Sequence, residues 1–253
     1  MSRVIAITNQ KGGVGKTTTT VNLSAGLVLK GKRVLLIDLD PQGNATMGSG
    51  VDKQELGRSV YHLLLGHAEL ADVRINTEHG FDILPANREL GGAEVELIEV
   101  DRRELRLREA LLAVQAEYDY ILIDCPPALN MLTVNGLAAS DGVIIPMQCE
   151  YYALEGLTDL INTMRRVRQA LNPKIEIDGL LRTLYDPRST LAQQVVAQLN
   201  QHFGYKVFET VIPRNIRLAE APSFGRPIFA YDKSSRGAQA YRALAEELIA
   251  RFK

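Results

Sequence analysis

Five short runs in the first 150 residues are apolar at nearly every position: "VIAIT" (4–8), "VLLIDLD" (34–40), "FDILPA" (81–86), "YILIDCP" (120–126) and "GVIIPMQ" (142–148). A strand with one wet face alternates apolar and polar residues, whereas one covered on both faces does not. These runs therefore predict parallel strands in a sheet flanked by helices. "IEIDGLLRTLY" (175–185) and "KVFETVIP" (206–213) continue the series. Helical patterns lie between them, over 16–30, 93–116, 153–171, 189–203 and 236–252; in the second, Leu107, Leu111 and Val114 fall on one face at i, i+4 and i+7. The alternation predicts an α/β fold with a doubly wound, mostly parallel sheet and right-handed crossovers. No repeat or linker interrupts it, so residues 1–253 read as a single domain. The glycine-rich polar stretch 43–58 is expected to be a mobile surface loop.

Composition narrows the class without naming a function. With 253 residues, 46% hydrophobic and 23% charged, the chain can bury a large core, which excludes a disordered protein. The two cysteines, Cys125 and Cys149, sit in or beside apolar runs without metal-ligand spacing, which suggests buried thiols in a reducing compartment. No run approaches the roughly 20 apolar residues of a membrane span, and "RVIAIT" replaces a charged leader at the N-terminus, so a cytoplasmic location is expected. Net charge is −1, yet from Lys174 onward there are twelve Lys/Arg against eight Asp/Glu, a basic final third.

The chemistry begins at "NQKGGVGKTTTT" (9–20), between the first strand and the first helix. Glycines let backbone N–H groups from Gly12 to Thr17 approach phosphate oxygens, and the helix N-terminus adds partial positive charge. Lys11, Gly12, Gly13, Val14, Gly15, Lys16, Thr17 and Thr18 form the candidate nucleotide segment. Lys16 is assigned to the β- and γ-phosphates and the Thr17 hydroxyl to Mg²⁺. "VLLIDLDPQGNAT" places Asp38 and Asp40 two apart at a strand end, which predicts that both face one side. "YDYILIDCPP" ends a strand on Asp124, the form of a Walker B element, whose carboxylate is expected to hold a metal-bound water. Asp40 is expected to act on the metal through a water as well. A nucleoside triphosphatase using Mg²⁺, or a close relative of one, is the reading.

The loop departs from the usual G-x-x-x-x-G-K-[ST] by placing Gln10 where glycine is expected and adding Lys11. "KGGVGKT", "DLDPQGNAT" and "IDCPP" together closely resemble the deviant Walker A ATPases of the ParA/MinD group. Over nearly the whole chain the resemblance is nearest to the ParA or Soj partition ATPases, with "LYDPRSTLAQQV" and "VIPRNIRLAEAPSFGRPI" as further signatures. The resemblance implies an ATP-dependent homodimer that binds double-stranded DNA without sequence preference. It also implies a centromere-binding ParB-type partner that stimulates weak hydrolysis and releases the dimer from DNA, giving a nucleoid-associated location. On matching positions it implies that Lys11 reaches the partner subunit's phosphates and that Asp40 positions the attacking water. Pro213 and Asn215 would meet adenine, and Arg188 and Arg217 would meet DNA. The first strand starts at residue 4, so an N-terminal operator-binding helix-turn-helix is not expected.

Three other members of the scaffold give rival expectations. A MinD-like membrane regulator requires a lipid-facing last helix, and "GAQAYRALAEELIARFK" does stripe Tyr241, Leu244, Ala245, Leu248 and Phe252 on one face. Glu246 and Glu247 oppose an anionic membrane, and core packing accounts for the stripe equally well. Nitrogenase-type iron proteins need cysteines in a cluster-binding loop, which Cys125 and Cys149 do not occupy. Metabolic ligases and kinases such as dethiobiotin synthetase share the loop but are not expected to carry Lys11 with "DPQGNAT".

Overall fold

The computed structural model describes residues 2–150 and 153–252. One eight-stranded sheet is built from β1 (Arg3–Ile7), β2 (Val34–Asp38), β3 (Ile75–Asn76), β4 (Asp82–Leu84), β5 (Tyr120–Asp124), β6 (Gly142–Met147), β7 (Glu176–Tyr185) and β8 (Val207–Pro213), in the order β3-β4-β2-β5-β1-β6-β7-β8. Every pairing is parallel except that of the short β3 with β4. The longer helices are α1 (Lys16–Val28), α7 (Met131–Ala139), α8 (Ala153–Ala170), α9 (Thr190–Phe203) and α12 (Arg236–Arg251). Short ones are α2 (Asn44–Gly48), α3 (Val60–Leu65), α4 (Leu70–Val73), α5 (Ala93–Glu96), α6 (Arg106–Leu111), α10 (Ile216–Glu220) and α11 (Ile228–Tyr231).

Both faces of the central strands are dry, as their sequence demands. Alternate residues Val4 and Ala6, Leu35 and Ile37, and Ile121 and Ile123 join one core with Leu107, Leu111, Leu132 and Leu160. Their neighbours Ile5 and Ile7, Leu36, and Leu122 join the other with Leu23 and Leu27 of α1 and Tyr241, Leu244 and Leu248 of α12. The stripe on the last helix is thus core: Tyr241, Leu244, Ala245 and Leu248 are buried, and Phe252 packs beneath the Arg3 guanidinium. It is not offered to a lipid surface, and no helix among the described residues is long and apolar enough to cross a membrane.

Two expectations fail locally. The predicted helix over 93–116 is broken into α5, α6 and 3₁₀ turns, with Arg102 left-handed at φ 55° in the charged run "DRRE". Leu107, Leu111 and Val114 are still buried, and the Asn135 side chain accepts from Leu107 N and donates to Arg103 O, satisfying backbone that a continuous helix would have paired internally. The stretch 43–58 is not wholly a surface loop either, because its first part forms α2 with Ala45 and Thr46 fully buried. Gly43 opens that helix at φ 61°, and a Cβ there would lie 2.6 Å from Ala86 O, so only glycine fits.

Register sets up the site. Ile7 and Asp38 both pair with Asp124, so β1, β2 and β5 end at one level and release three loops side by side. The chain moves outward from β1 to β2 and returns through β5 to β6 on β1's other side, which makes this the crevice where ligands bind in open α/β sheets.

Candidate functional site

A cleft of about 350 Å³ opens at those strand ends, lined by Gly12, Gly13, Gly15, Lys16, Thr17 and Thr18 from the loop and by Asp40 and Asn215 from outside it. The loop turns on Gly13 at φ 72° and Gly15 at φ 87°, left-handed values that side chains rarely accept. Gly15 is also the N-cap of α1 and supplies no side-chain acceptor, and the first turn of α1 carries no acid. By contrast α7, α9 and α12 are each capped by a side chain, from Asn130, Ser189 and Ser235. The helix facing the cleft therefore presents orphan N–H donors and a partial positive charge with no internal anion, the arrangement that receives phosphate. Val14 points the other way, is buried, and accepts through its carbonyl from Thr183 Oγ1 at 2.7 Å.

Lys16 is 7% exposed and donates from Nζ to Lys11 O at 3.2 Å. Burial pushes its ammonium below the ordinary lysine range, opposed by the charges of Asp124 and Asp40. Asp124 is buried at the end of β5 and accepts from Thr17 Oγ1 at 2.7 Å and from Thr20 Oγ1 at 3.2 Å. Burial above all, then the neighbouring Asp38, raises its carboxyl well above the usual carboxylate range. A buried carboxylate strained in this way gains from a cation.

The donor set says which cation. Among the described residues no group of three or more His, Cys, Asp or Glu could cage a metal. One hydroxyl and one carboxylate, with Asp40 in the same cleft, suit Mg²⁺ completed by water and phosphate oxygens. The structure brings Thr17 and Asp124 together at the strand ends.

Asp38 and Asp40 do not share a side. β2 ends at Asp38, so the alternation rule stops before Asp40. Asp38 is fully buried and accepts from Thr46 N and Thr46 Oγ1, both at 2.8 Å, and from Asp40 N at 3.1 Å. Its carboxyl, raised to about 7 by burial, anchors the segment between β2 and α2. Asp40 alone reaches the cleft, its Oδ1 fixed by Gln42 N at 2.9 Å.

Lys11 stands apart from this group. It does not line the cleft beside its own loop; its Nζ lies 2.6 Å from Glu150 Oε2, and both side chains are nearly half exposed. Asn215 lines the cleft and caps α10 by accepting from Leu218 N, while Pro213 ends β8 and lies outside the lining. Arg188 is exposed and paired with Asp186 at 2.9 Å, and Arg217 is half-exposed and paired with Glu220 at 2.9 Å. Cys125 and Cys149 are free, buried thiols pushed up by desolvation, which does not suit cluster ligation. Thr183, Leu184 and Ile212 also line the cleft, although the sequence pattern marked them only as strand residues.

Comparison with known proteins agrees with this geometry. The family model described as an AAA domain matches residues 2–177. The chain is 56% identical over 249 residues to the chromosome-partitioning ATPase Soj of Thermus thermophilus, covering 98% of this chain and 96% of that protein. It is 52% identical over 252 residues to the chromosome partitioning protein ParA of Caulobacter vibrioides, covering 98% and 94%. Among solved structures, a cobyrinic acid a,c-diamide synthase from Mycobacterium smegmatis with bound ATP analogue and magnesium superposes with a TM-score of 0.88 at 39% identity, covering 100% of this chain and 96% of that one. With its phosphate loop, its Mg²⁺-suited Thr17–Asp124 pair and whole-length identity above one half to partition proteins, the chain belongs to the Soj/ParA family of chromosome-partitioning ATPases.

Proposed function

We propose that two copies of this chain pair face to face around two Mg²⁺–ATP molecules, each Lys11 reaching the other subunit's phosphates. The observation that carries this reading is the divergence of the two loop lysines: Lys16 is buried in its own cleft, whereas Lys11 lies outside it with its charge held at the surface by Glu150. A cation supplied from across an interface stabilises charge that develops on the transferred phosphoryl group, as an arginine finger does. It also makes pairing depend on nucleotide, since facing lysines need polyphosphate between them.

Within the cleft Lys16 binds the β- and γ-phosphates, Thr17 and Asp124 hold the magnesium shell, and Asp40 orients the attacking water. The metal, when bound, neutralises charge on the phosphate oxygens. The paired form binds double-stranded DNA without sequence preference, with Arg188 and Arg217 exchanging Asp186 and Glu220 for phosphates. Pairing doubles the number of contacts, so nucleotide state governs grip on the nucleoid. A ParB-type partner stimulates hydrolysis and releases the dimer.

DNA retention measured with ATP, with ADP and without nucleotide, each with and without the centromere-binding partner, tests this reading. Retention only with ATP, and its loss on adding partner, is the expected result; equal retention in all three states contradicts it. The likeness to a cobyrinic acid a,c-diamide synthase carries a second reading, a small-molecule ligase. Turnover driven by a small substrate and indifferent to DNA and partner would select it.

A further inference from the structure

Thr183 and Leu184 are consecutive residues of β7, yet both line the nucleotide cleft. A regular strand cannot do this, because successive side chains point to opposite faces. The break is visible in the backbone. β6 pairs with β7 only as far as Met147 opposite Arg182, so the next residues run on without that neighbour. On the other side Arg182 pairs with Val211 and Tyr185 with Pro213, so Thr183 and Leu184 together face the single residue Ile212. This is a bulge, and Leu184 sits in it at φ 48°, a left-handed value unusual for a branched side chain. Strain of this kind persists where the surroundings require it, and it concentrates at functional sites.

The bulge delivers the Thr183 side chain to the back of the phosphate loop. Thr183 is buried, its hydroxyl donates to Val14 O at 2.7 Å, and a Cβ built on Gly15 would lie 3.8 Å from its Cβ and Cγ2. Val14 lies between the two left-handed glycines, so its peptide decides which way the loop's groups point. With the carbonyl of Val14 turned back and tied to Thr183, the neighbouring N–H groups are free to face the cleft. An untied carbonyl there would be a buried acceptor without a donor, and the loop would rotate to satisfy it.

We propose that Thr183 is a positioning residue for nucleotide binding, which holds the phosphate loop in its receptive form before ligand arrives, and that the bulge at Leu184 exists to bring it there. The proposal rests on the nucleotide reading of the cleft; if the wild-type protein bound no Mg²⁺–ATP in calorimetric titration, that reading would fail first and separately.

The test compares Thr183→Val, which keeps the shape and removes the hydroxyl, with Thr183→Ser, which keeps the hydroxyl and removes the methyl. Calorimetric titration with Mg²⁺–ATP and steady-state hydrolysis are measured on each. For Thr183→Val the dissociation constant and KM should rise about tenfold, the size of one lost buried hydrogen bond, with kcat within about twofold of wild type. Thr183→Ser should stay within about twofold of wild type in both. A purely structural role would lower the melting temperature of the nucleotide-free protein without changing the affinity of the folded fraction. Wild-type affinity in Thr183→Val, or equal weakening in Thr183→Ser, overturns the proposal. Should Thr183→Val not fold, Thr183→Ala replaces it: affinity about fivefold or more below that of Thr183→Ser supports the role, and equality overturns it.

Discussion

Replacing Thr46 by valine removes one hydroxyl and tests how the segment carrying Asp40 is held. Thr46 is fully buried; its Oγ1 donates to Asp38 Oδ2 at 2.8 Å and accepts from Ala86 N at 2.9 Å. Valine fills the same volume, leaves Ala86 N–H without an acceptor and strips one donor from a buried carboxyl. Each of these two buried groups costs about 1–3 kcal/mol when left unsatisfied, and the added methyl returns about 0.8 kcal/mol, so a net loss of about 1–5 kcal/mol is expected. For a chain of this size that corresponds to roughly 2–20 °C in Tm. Thr46→Ser keeps both hydrogen bonds and should lose only about 1 kcal/mol.

The deficit should also depend on pH. Asp38 already has its folded pKa raised by burial to about 7, and Thr46 Oγ1 is among the groups that lower it. A carboxyl raised on folding contributes stability that is complete below its unfolded pKa and is lost as pH rises through its folded pKa. Losing the Thr46 donor raises it further, so the Thr46→Val deficit should be larger at pH 8 than at pH 5. Denaturant melts of the three proteins at both pH values measure this. Because Asp40 N also rests on Asp38 Oδ1, kcat should fall with little change in ATP affinity. A loss under about 0.5 kcal/mol, or one equal to that of Thr46→Ser, would refute the role given to the hydroxyl.

Asp124→Asn should raise the stability of the nucleotide-free protein by about 1–3 kcal/mol at pH 8, because it removes a buried carboxyl whose pKa lies high, while abolishing Mg²⁺-dependent hydrolysis; melts across pH 5–8 should show the gain shrinking as pH falls. Gly12→Val should leave the monomer folded, since a Cβ at Gly12 meets nothing within 4 Å, and should block only ATP-dependent pairing, seen as a monomer on gel filtration. Arg217→Glu should weaken DNA binding and flatten its dependence on salt while sparing pairing, which fluorescence anisotropy at two salt concentrations would show.

What was legible in the sequence was what is local. The strands β1, β2, β5 and β6 were plain because every residue is apolar or nearly so, the mark of burial on two faces. The phosphate loop was plain because its glycines, Lys16 and Thr17 act within one turn of chain. The helix α7 has no periodic signal in the sequence, because "MLTVNGLAA" is buried around most of its circumference and carries no amphipathic period. The predicted helix over 93–116 had the right face and the wrong continuity, since periodicity does not show where Arg102 turns left-handed. Asp38 and Asp40 looked equivalent until the end of β2 separated them. Contacts closed over long chain separation, such as Lys11 with Glu150 and Val14 with Thr183, leave no pattern in either partner's neighbourhood.

In the proposed function, pairing through a cation lent by the opposite subunit joins the nucleotide chemistry to DNA. Lys11→Ala, followed by mass photometry and by phosphate release after ATP is added, addresses it directly. The variant should remain monomeric with ATP bound at near wild-type affinity, and partner-stimulated hydrolysis should be lost. A Lys11→Ala protein that dimerises on ATP and hydrolyses it at the wild-type rate would contradict the account and leave each cleft working alone.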